Sequence, residues 1–294
     1  MSALNEGYFT ALGTPIDACG DLVEKSLVEE IRQQLFYGAS GMLVLGSMGM
    51  QPSILPQVCA RAVRVAANAV SGRAALFAGV MDNSIRGVLA RIEALKGLEI
   101  DGVVVTTPYY FTSADADLLN FFTEIANRSP YPVYLYDLQV ATKQKITYPM
   151  VRTLAKHDNI RGIKSADLPM IFQILNLGEV KDTFTPLYSG LDTVDAACAK
   201  GISRYLDGMF ATTPRNAQAL ESCRRNADYA GVTRHLRNIL KLRDTMALFE
   251  IFPSFTVCMN LLGMKGKFNP DYEMAAPPEA LDVLREAMRE IGEL

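Results

Sequence analysis

Histidine is almost absent from this sequence: two residues in 294, His157 and His235, both in stretches that read as helical and polar. A histidine-based catalytic triad and a zinc site are therefore poorly supported. Cysteine does not fill the gap. The five cysteines (Cys19, Cys59, Cys198, Cys223 and Cys258) are odd in number and widely spaced, with no pair at metal-site separation, and they read as reduced and mostly buried. An excess of positive charge is also missing. The net charge is −3 and the signs are mixed along the helices, which leaves no basic surface for nucleic acid. No apolar run approaches the ~20 residues that span a bilayer, and Met1 to Glu6 has neither a basic start nor an apolar core. A cytoplasmic protein without a membrane partner is expected. No Pro/Ser linker, charge block or low-complexity segment divides the chain, so one large domain is preferred, at a length that barrels of alternating strands and helices reach.

What is present is a regular alternation. Short strands rich in Val, Leu and Ile are each followed by a longer amphipathic stretch, the pattern of a parallel sheet covered by helices. Eight strands are expected: Gly7 to Leu12, Gly41 to Leu45, Ala74 to Val80, Gly102 to Thr106, Pro132 to Tyr136, Asn159 to Lys164, Phe184 to Ser189 and Gly201 to Leu206. The first helix, Asp21 to Tyr37, repeats apolar residues at helical spacing and is stopped by Gly38. After the eighth strand the chain reads as helical over Pro214 to Tyr229, Val232 to Phe249, Phe255 to Leu262 and Pro278 to Glu293. The fold expected is α/β, a (β/α)8 barrel over residues 1–229 with a C-terminal helical extension over 230–294.

The strand ends carry the chemistry. Lys164 closes an apolar strand, where its charge is costly to desolvate, so the pocket either pairs that charge or favours the neutral, nucleophilic amine. Such an amine condenses with a keto group and acidifies the adjacent carbon. The plainer alternative is an ion-paired strand-end lysine. Gly46-Ser47-Met48-Gly49-Met50 follows the second strand, with glycines that let backbone N–H groups turn toward an anion; an ordinary turn is the alternative. Asp82, Asn83 or Ser84 caps the next helix. Tyr110 and Tyr136 fall after strands four and five, and Asp192 and Asp207 after seven and eight. In a (β/α)8 barrel all of these converge with Lys164 on one face.

These residues bear a resemblance to the N-acetylneuraminate lyase and dihydrodipicolinate synthase family, pyruvate-dependent class I aldolases. Ala11-Leu12-Gly13-Thr14-Pro15 resembles that family's opening strand, and Gly46 to Met50 its Gly-Ser/Thr-Thr-Gly-Glu loop. Thr107-Pro108-Tyr109-Tyr110 resembles its Thr-Pro-Tyr-Tyr, Leu135-Tyr136-Asp137 its Leu-Tyr-Asn, Gly162-Ile163-Lys164 its Schiff-base motif, and Ser189-Gly190-Leu191-Asp192 its Ser-Gly-x-Asp. The resemblance implies that Lys164 forms the imine with pyruvate and that Tyr136 shuttles a proton. It implies that Ser47, with the backbone at 47 and 48, holds the carboxylate. Tyr110 would reach a neighbouring subunit's site in a homodimer or homotetramer. No cofactor or metal is implied, and the partners are pyruvate and an aldehyde.

The departures bear on substrate. Met48 replaces the loop's second hydroxyl residue and Met50 its glutamate. Ala141 stands where members acting on aspartate semialdehyde carry an arginine, and Asp192-Thr193 where sialate-cleaving members have Asp-Glu. With Gly190, Asp192, Thr193, Asp207 and Ala141 lining the outer pocket, no cation is evident there, and a neutral, hydroxylated aldehyde half is expected; Lys143 is the residue that would upset this. The leading expectation is an aldolase acting on a sugar-derived 2-keto-3-deoxy acid. A dihydrodipicolinate synthase-like condensation, a dehydratase, and a catalytically idle keto-acid-binding relative remain as alternatives. A phosphate-binding barrel would need anion-attracting loops where Asp192 and Asp207 stand.

Overall fold

The computed structural model describes residues 4–176 and 184–294. Met1 to Ala3 and residues 177–183 lie outside the described residues. Eight parallel strands close into a barrel in chain order, β8 pairing back onto β1. They are β1 (Gly7–Ala11), β2 (Gly41–Val44), β3 (Ala75–Gly79), β4 (Gly102–Thr106), β5 (Val133–Asp137), β6 (Ile160–Ser165), β7 (Thr185–Tyr188) and β8 (Arg204–Asp207). The helices between them are α1 (Glu24–Phe36), α2 (Pro56–Val70), α3 (Ile85–Glu93), α4 (Asp115–Arg128), the single turn α5 (Gln139–Thr142), α6 (Tyr148–Leu154), α7 (Leu168–Leu175) and α8 (Val194–Ala199). After β8 come α9 (Pro214–Arg225), α10 (Tyr229–Ala247), α11 (Ile251–Leu261) and α12 (Pro278–Glu290). No helix among the described residues is long and apolar enough to cross a membrane.

Period-2 alternation divides each strand between two cores. Phe9, Leu43, Phe77, Val104, Tyr134, Leu187 and Leu206 fill the barrel's interior. Their neighbours, among them Val103, Leu135, Ile163 and Tyr205, pack outward in the layer shared with the helices. The large ring of Tyr134 needs missing side chains beside it: a Cβ on Gly102 would lie 2.8 Å from that ring, and one on Gly162 2.6 Å from it. Glycine at these two positions lets an interior this narrow hold a tyrosine.

Every expected strand occurs, β4 with the expected limits and the others with shifted ends. β8 starts at Arg204 rather than Gly201 because Gly201 (φ +88°) still belongs to the end of α8, where the Ile202 N–H reaches back to the Ala197 carbonyl. The helix expected over Pro214 to Tyr229 stops at Arg225: Ala227 takes φ +55°, and the Asp228 carboxylate caps α10 by accepting from the Gly231 N–H at 2.9 Å. α11 starts at Ile251, four residues before the expected Phe255. Gly38 does end α1, at φ +81°. Of the three candidate caps for α3, Ser84 does it, accepting from the Gly87 N–H at 3.0 Å. His157, expected on a helix, lies in the turn after α6, where its Nδ1 accepts from the Asn159 N–H. Cys59, Cys198 and Cys258 are buried, Cys223 is half-buried and Cys19 exposed.

Candidate active site

β5 and β6 set the centre of the site. Tyr136 and Lys164 are direct partners in the strand register, and Leu187 of β7 continues the same row. Alternation turns both side chains inward, where they close the top of the interior core, Tyr136 at 2% and Lys164 at 8% exposure. The Lys164 Nζ donates to the Tyr136 hydroxyl at 2.8 Å and sits 4.0 Å from the centroid of that ring. The same hydroxyl shares a hydrogen bond of 3.0 Å with the Ser47 Oγ. A buried amine, a phenol and an alcohol thus form one continuous proton path, each within reach of the next.

Ser47 is placed by a tight turn. Leu45 takes φ +60° and Met50 φ +54°, and the Met50 N–H bonds back to the Ser47 carbonyl at 3.0 Å. A Cβ on Gly49 would lie 2.8 Å from the Leu45 backbone, so only glycine allows this closeness. The Thr14 hydroxyl fastens the turn from the β1 loop by donating to the Gly49 carbonyl at 2.7 Å. Among the described residues the backbone N–H groups of Ser47 and Met48 have no protein acceptor, which is the property an anion cradle requires.

The two methionines of this loop go into packing. Met50 is 3% exposed in the layer between barrel and helices. Met48 is half-buried against the interior core and lies along Gly208, where an added Cβ would be 2.9 Å from its Cε. Gly208 leaves the space that Met48 occupies.

One residue beyond the lysine a second network braces the strand ends. The Asp137 carboxylate accepts from the Ser165 hydroxyl at 2.7 Å and the Ile146 N–H at 3.1 Å, and it pairs with the Lys145 ammonium. Lys145 also lies 3.1 Å from Asp167. Burial works against the Lys145 charge, but the two carboxylates outweigh it and hold its pKa above the ordinary lysine value. Burial likewise pushes the Asp167 carboxyl up, and the Met170 N–H with Lys145 brings it below its ordinary value. Neither Lys145 nor Asp167 stands out in the sequence. Only their convergence on Asp137 gives them a role.

Tyr110 is not brought to the amine. It is 72% exposed, packed edge-on against the exposed Phe111 at 4.7 Å between ring centroids. Its loop is held by Asn83, whose side-chain oxygen accepts from the N–H groups of both Tyr109 and Tyr110 at 2.9 Å.

The outer residues divide. Gly190 makes room for the Tyr188 hydroxyl, which bonds to the Thr193 Oγ, so Thr193 is engaged in holding the β7 loop. Ala141 is exposed on α5, and Lys143 caps that turn at φ +61°. Asp207 accepts from the Met209 N–H at 2.8 Å; burial pushes its carboxyl up, against the pull of that N–H, Lys164 and Arg243. The expectation of an outer pocket without a cation needs correcting. Arg243, on α10, reaches Asp192 at 2.7 Å and Asp244 at 2.7 Å. It escaped the sequence reading because an arginine among the charges of a C-terminal helix carries no motif. A cavity of about 950 Å³ lies at the opposite end of the barrel between Glu6, Arg32, Arg73 and Arg224, away from this chemistry.

Comparison with known proteins bears on the family and the fold. Residues 4–270 match the profile of the dihydrodipicolinate synthetase family. A 4-hydroxy-tetrahydrodipicolinate synthase from Mycolicibacterium paratuberculosis is 27% identical over 285 residues, 95% of this chain and 93% of the relative. In three dimensions the chain resembles an N-acetylneuraminate lyase from Proteus mirabilis (TM-score 0.90, 17% identity, 99% of this chain and 100% of the other). It resembles equally a prophage protein of the dihydrodipicolinic acid synthase family from E. coli, solved with pyruvate (TM-score 0.90, 21% identity, 99% and 100%). At these identities the structural likeness is one of fold, whereas the profile spans most of the chain. The chain therefore belongs to the dihydrodipicolinate synthetase family and is an enzyme of lyase type.

Proposed function

We propose that this protein is a Schiff-base-forming, pyruvate-dependent aldolase that cleaves or makes a sugar-derived 2-keto-3-deoxy acid. The observation that carries this reading is the buried Lys164 Nζ, 2.8 Å from a tyrosine hydroxyl that itself lies 3.0 Å from Ser47. In the cleavage direction the neutral amine adds to the C2 carbonyl and water leaves, with Tyr136 passing the protons through its hydroxyl. The imine then draws electrons from the C3–C4 bond as the C4 hydroxyl loses its proton, releasing the aldehyde and leaving an enamine. Protonation at C3 and hydrolysis return pyruvate and the free lysine. The unengaged N–H groups of Ser47 and Met48 are assigned to the substrate carboxylate. Tyr110 is read as the residue that crosses into a neighbouring copy in a homodimer or homotetramer; a fully active monomer at micromolar concentration would remove that role.

Incubation with pyruvate and borohydride followed by mass measurement tests the reading. Wild-type protein is expected to gain one pyruvate-derived adduct and Lys164→Ala none. An adduct on the alanine variant would assign the nucleophile elsewhere, and no adduct on the wild type would favour a catalytically idle relative, for which the loss of two polar residues at Met48 and Met50 is the motive.

A second reading, condensation of pyruvate with aspartate semialdehyde, is favoured by the name of the curated relative. Against it stand Ala141 and the three carboxylates Asp192, Asp207 and Asp244 around the one guanidinium of Arg243. Comparing pyruvate release from 2-keto-3-deoxy acids with condensation onto aspartate semialdehyde separates the two.

A further inference from the structure

Arg243 is the charged residue at the barrel mouth that neither the motifs nor the proton path accounts for. It lies next to Leu242 on α10, a helix seated on the barrel by Leu236, Ile239, Leu242 and Met246 and tied to α8 by the Thr233 hydroxyl donating to Asp195 at 2.8 Å. Its position is therefore set by the core. The guanidinium donates from Nη1 to the Asp192 Oδ1 at 2.7 Å, and its Nε donates to the Asp244 Oδ1 at 2.9 Å. The Arg243 side chain is 28% exposed, against 67% for Asp192. The fork is the anchored partner, and the carboxylate is the group it holds out to solvent, with Oδ2 outside the 2.7 Å bond.

This pair belongs to the same end of the barrel as the amine. Asp192 follows β7, whose Leu187 is in register with Lys164. Asp207, the last residue of β8, lies within electrostatic reach of Lys164, Arg243 and Asp192 together. The balance of charge decides what the pair can receive. Arg243 already faces two carboxylates, and Asp207 is a third acidic group, so an aldehyde half with its own carboxylate would meet an acidic surface. Taking Asp192's place on the arginine would also leave Asp192 unpaired beside Asp207. A hydroxyl meets neither obstacle, since it donates to the carboxylate in a charge-assisted hydrogen bond.

We propose that Arg243 is a positioning residue for the outer half of the substrate: it holds the Asp192 carboxylate at the barrel mouth as an acceptor for hydroxyl groups beyond the bond that breaks, and so selects a neutral, polyhydroxylated aldehyde half. The proposal rests on the aldolase reading above and adds the residue that sets its substrate class. The planar fork suits this task because it grips both carboxylates at once, which the point charge of a lysine does less well.

The test uses the full-length protein, Arg243→Met and Arg243→Lys, with two probes cleaved to pyruvate. 2-Keto-3-deoxygluconate carries hydroxyls on its aldehyde half; 4-hydroxy-2-oxopentanoate releases acetaldehyde, which carries none. Arg243→Met is expected to raise KM for the first probe roughly tenfold or more, the worth of a hydrogen bond to a charged acceptor. Its kcat on that probe and its kcat/KM on the second should stay unchanged, and Arg243→Lys should recover part of the loss. Equal losses on both probes, no loss on the first, or a wild type that uses the unsubstituted acid as well as the hydroxylated one overturns the proposal. So does a wild-type preference for aspartate semialdehyde that Arg243→Met abolishes, which would make Arg243 a reader of anions. Borohydride trapping of pyruvate is measured alongside. Adduct formation in the wild type and both variants keeps the aldolase reading even where the proposal fails, and its absence from the wild type overturns both.

Discussion

Replacing Glu30 by glutamine should make the protein less sensitive to alkaline pH. Glu30 is wholly buried on α1; its Oε1 accepts from the Gly13 N–H at 2.9 Å, and its Oε2 has no partner among the described residues. Burial pushes its carboxyl from 4.5 to about 8, with the Gly13 N–H pulling the other way. A carboxyl with a raised folded-state pKa keeps its proton in the native state after the unfolded chain has lost its own. Its effect on stability is therefore absent below about pH 4.5, grows as pH rises, and levels off above about pH 8. Across that window the native state loses about 1.4 kcal/mol per pH unit, on the order of 5 kcal/mol in total as an upper bound. Glutamine mimics the protonated acid, keeps an oxygen for Gly13 and does not titrate. Urea unfolding of both proteins at intervals from pH 4 to 9 should give curves that run together near pH 4 and separate by a few kcal/mol at pH 9, the variant being the more stable. Parallel curves over the whole range would refute the reasoning. The effect should also reach the site, because Gly13 adjoins Thr14, whose hydroxyl holds the Ser47 turn at Gly49.

Tyr136→Phe removes the hydroxyl that links Lys164 to Ser47, and kcat should fall roughly 10²-fold or more, the usual worth of a positioned acid or base; unchanged turnover in a pyruvate-release assay would take Tyr136 out of the mechanism. Lys145→Met leaves the buried Asp137 without its ammonium and should lower stability by about 2 kcal/mol, less than a fully buried pair because Lys145 keeps 29% exposure. Denaturation at neutral pH checks this, and a variant as stable as the wild type would show that Ser165 and the Ile146 N–H suffice to hold Asp137.

Much of the fold was legible along the chain because its signal is local. Short runs rich in Val, Leu and Ile, each followed by an amphipathic stretch, are properties of short segments, and the eight strands follow from them. Lys164, Tyr136 and Ser47 were legible for a related reason: each stands at or just past the C-terminal end of a strand, and a closed parallel barrel gathers strand ends on one face whatever the loops do. Helix limits were less so, since left-handed residues such as Ala227 and Glu250, where the chain turns, are not glycines and give no warning in the sequence. The partners of the site were decided by tertiary structure alone. Arg243 stands 51 residues from Asp192, among the charges of a C-terminal helix that carries no motif. Lys145 reads as a loop lysine until β5 brings Asp137 and the start of α7 brings Asp167 to it. Met48 and Met50 read as damage to a polar loop, whereas packing gives one a place along Gly208 and the other a place in the core. Motifs placed the reacting groups, but which charges face one another at the barrel mouth depends on how α10 seats on the barrel, and no spacing along the chain encodes that.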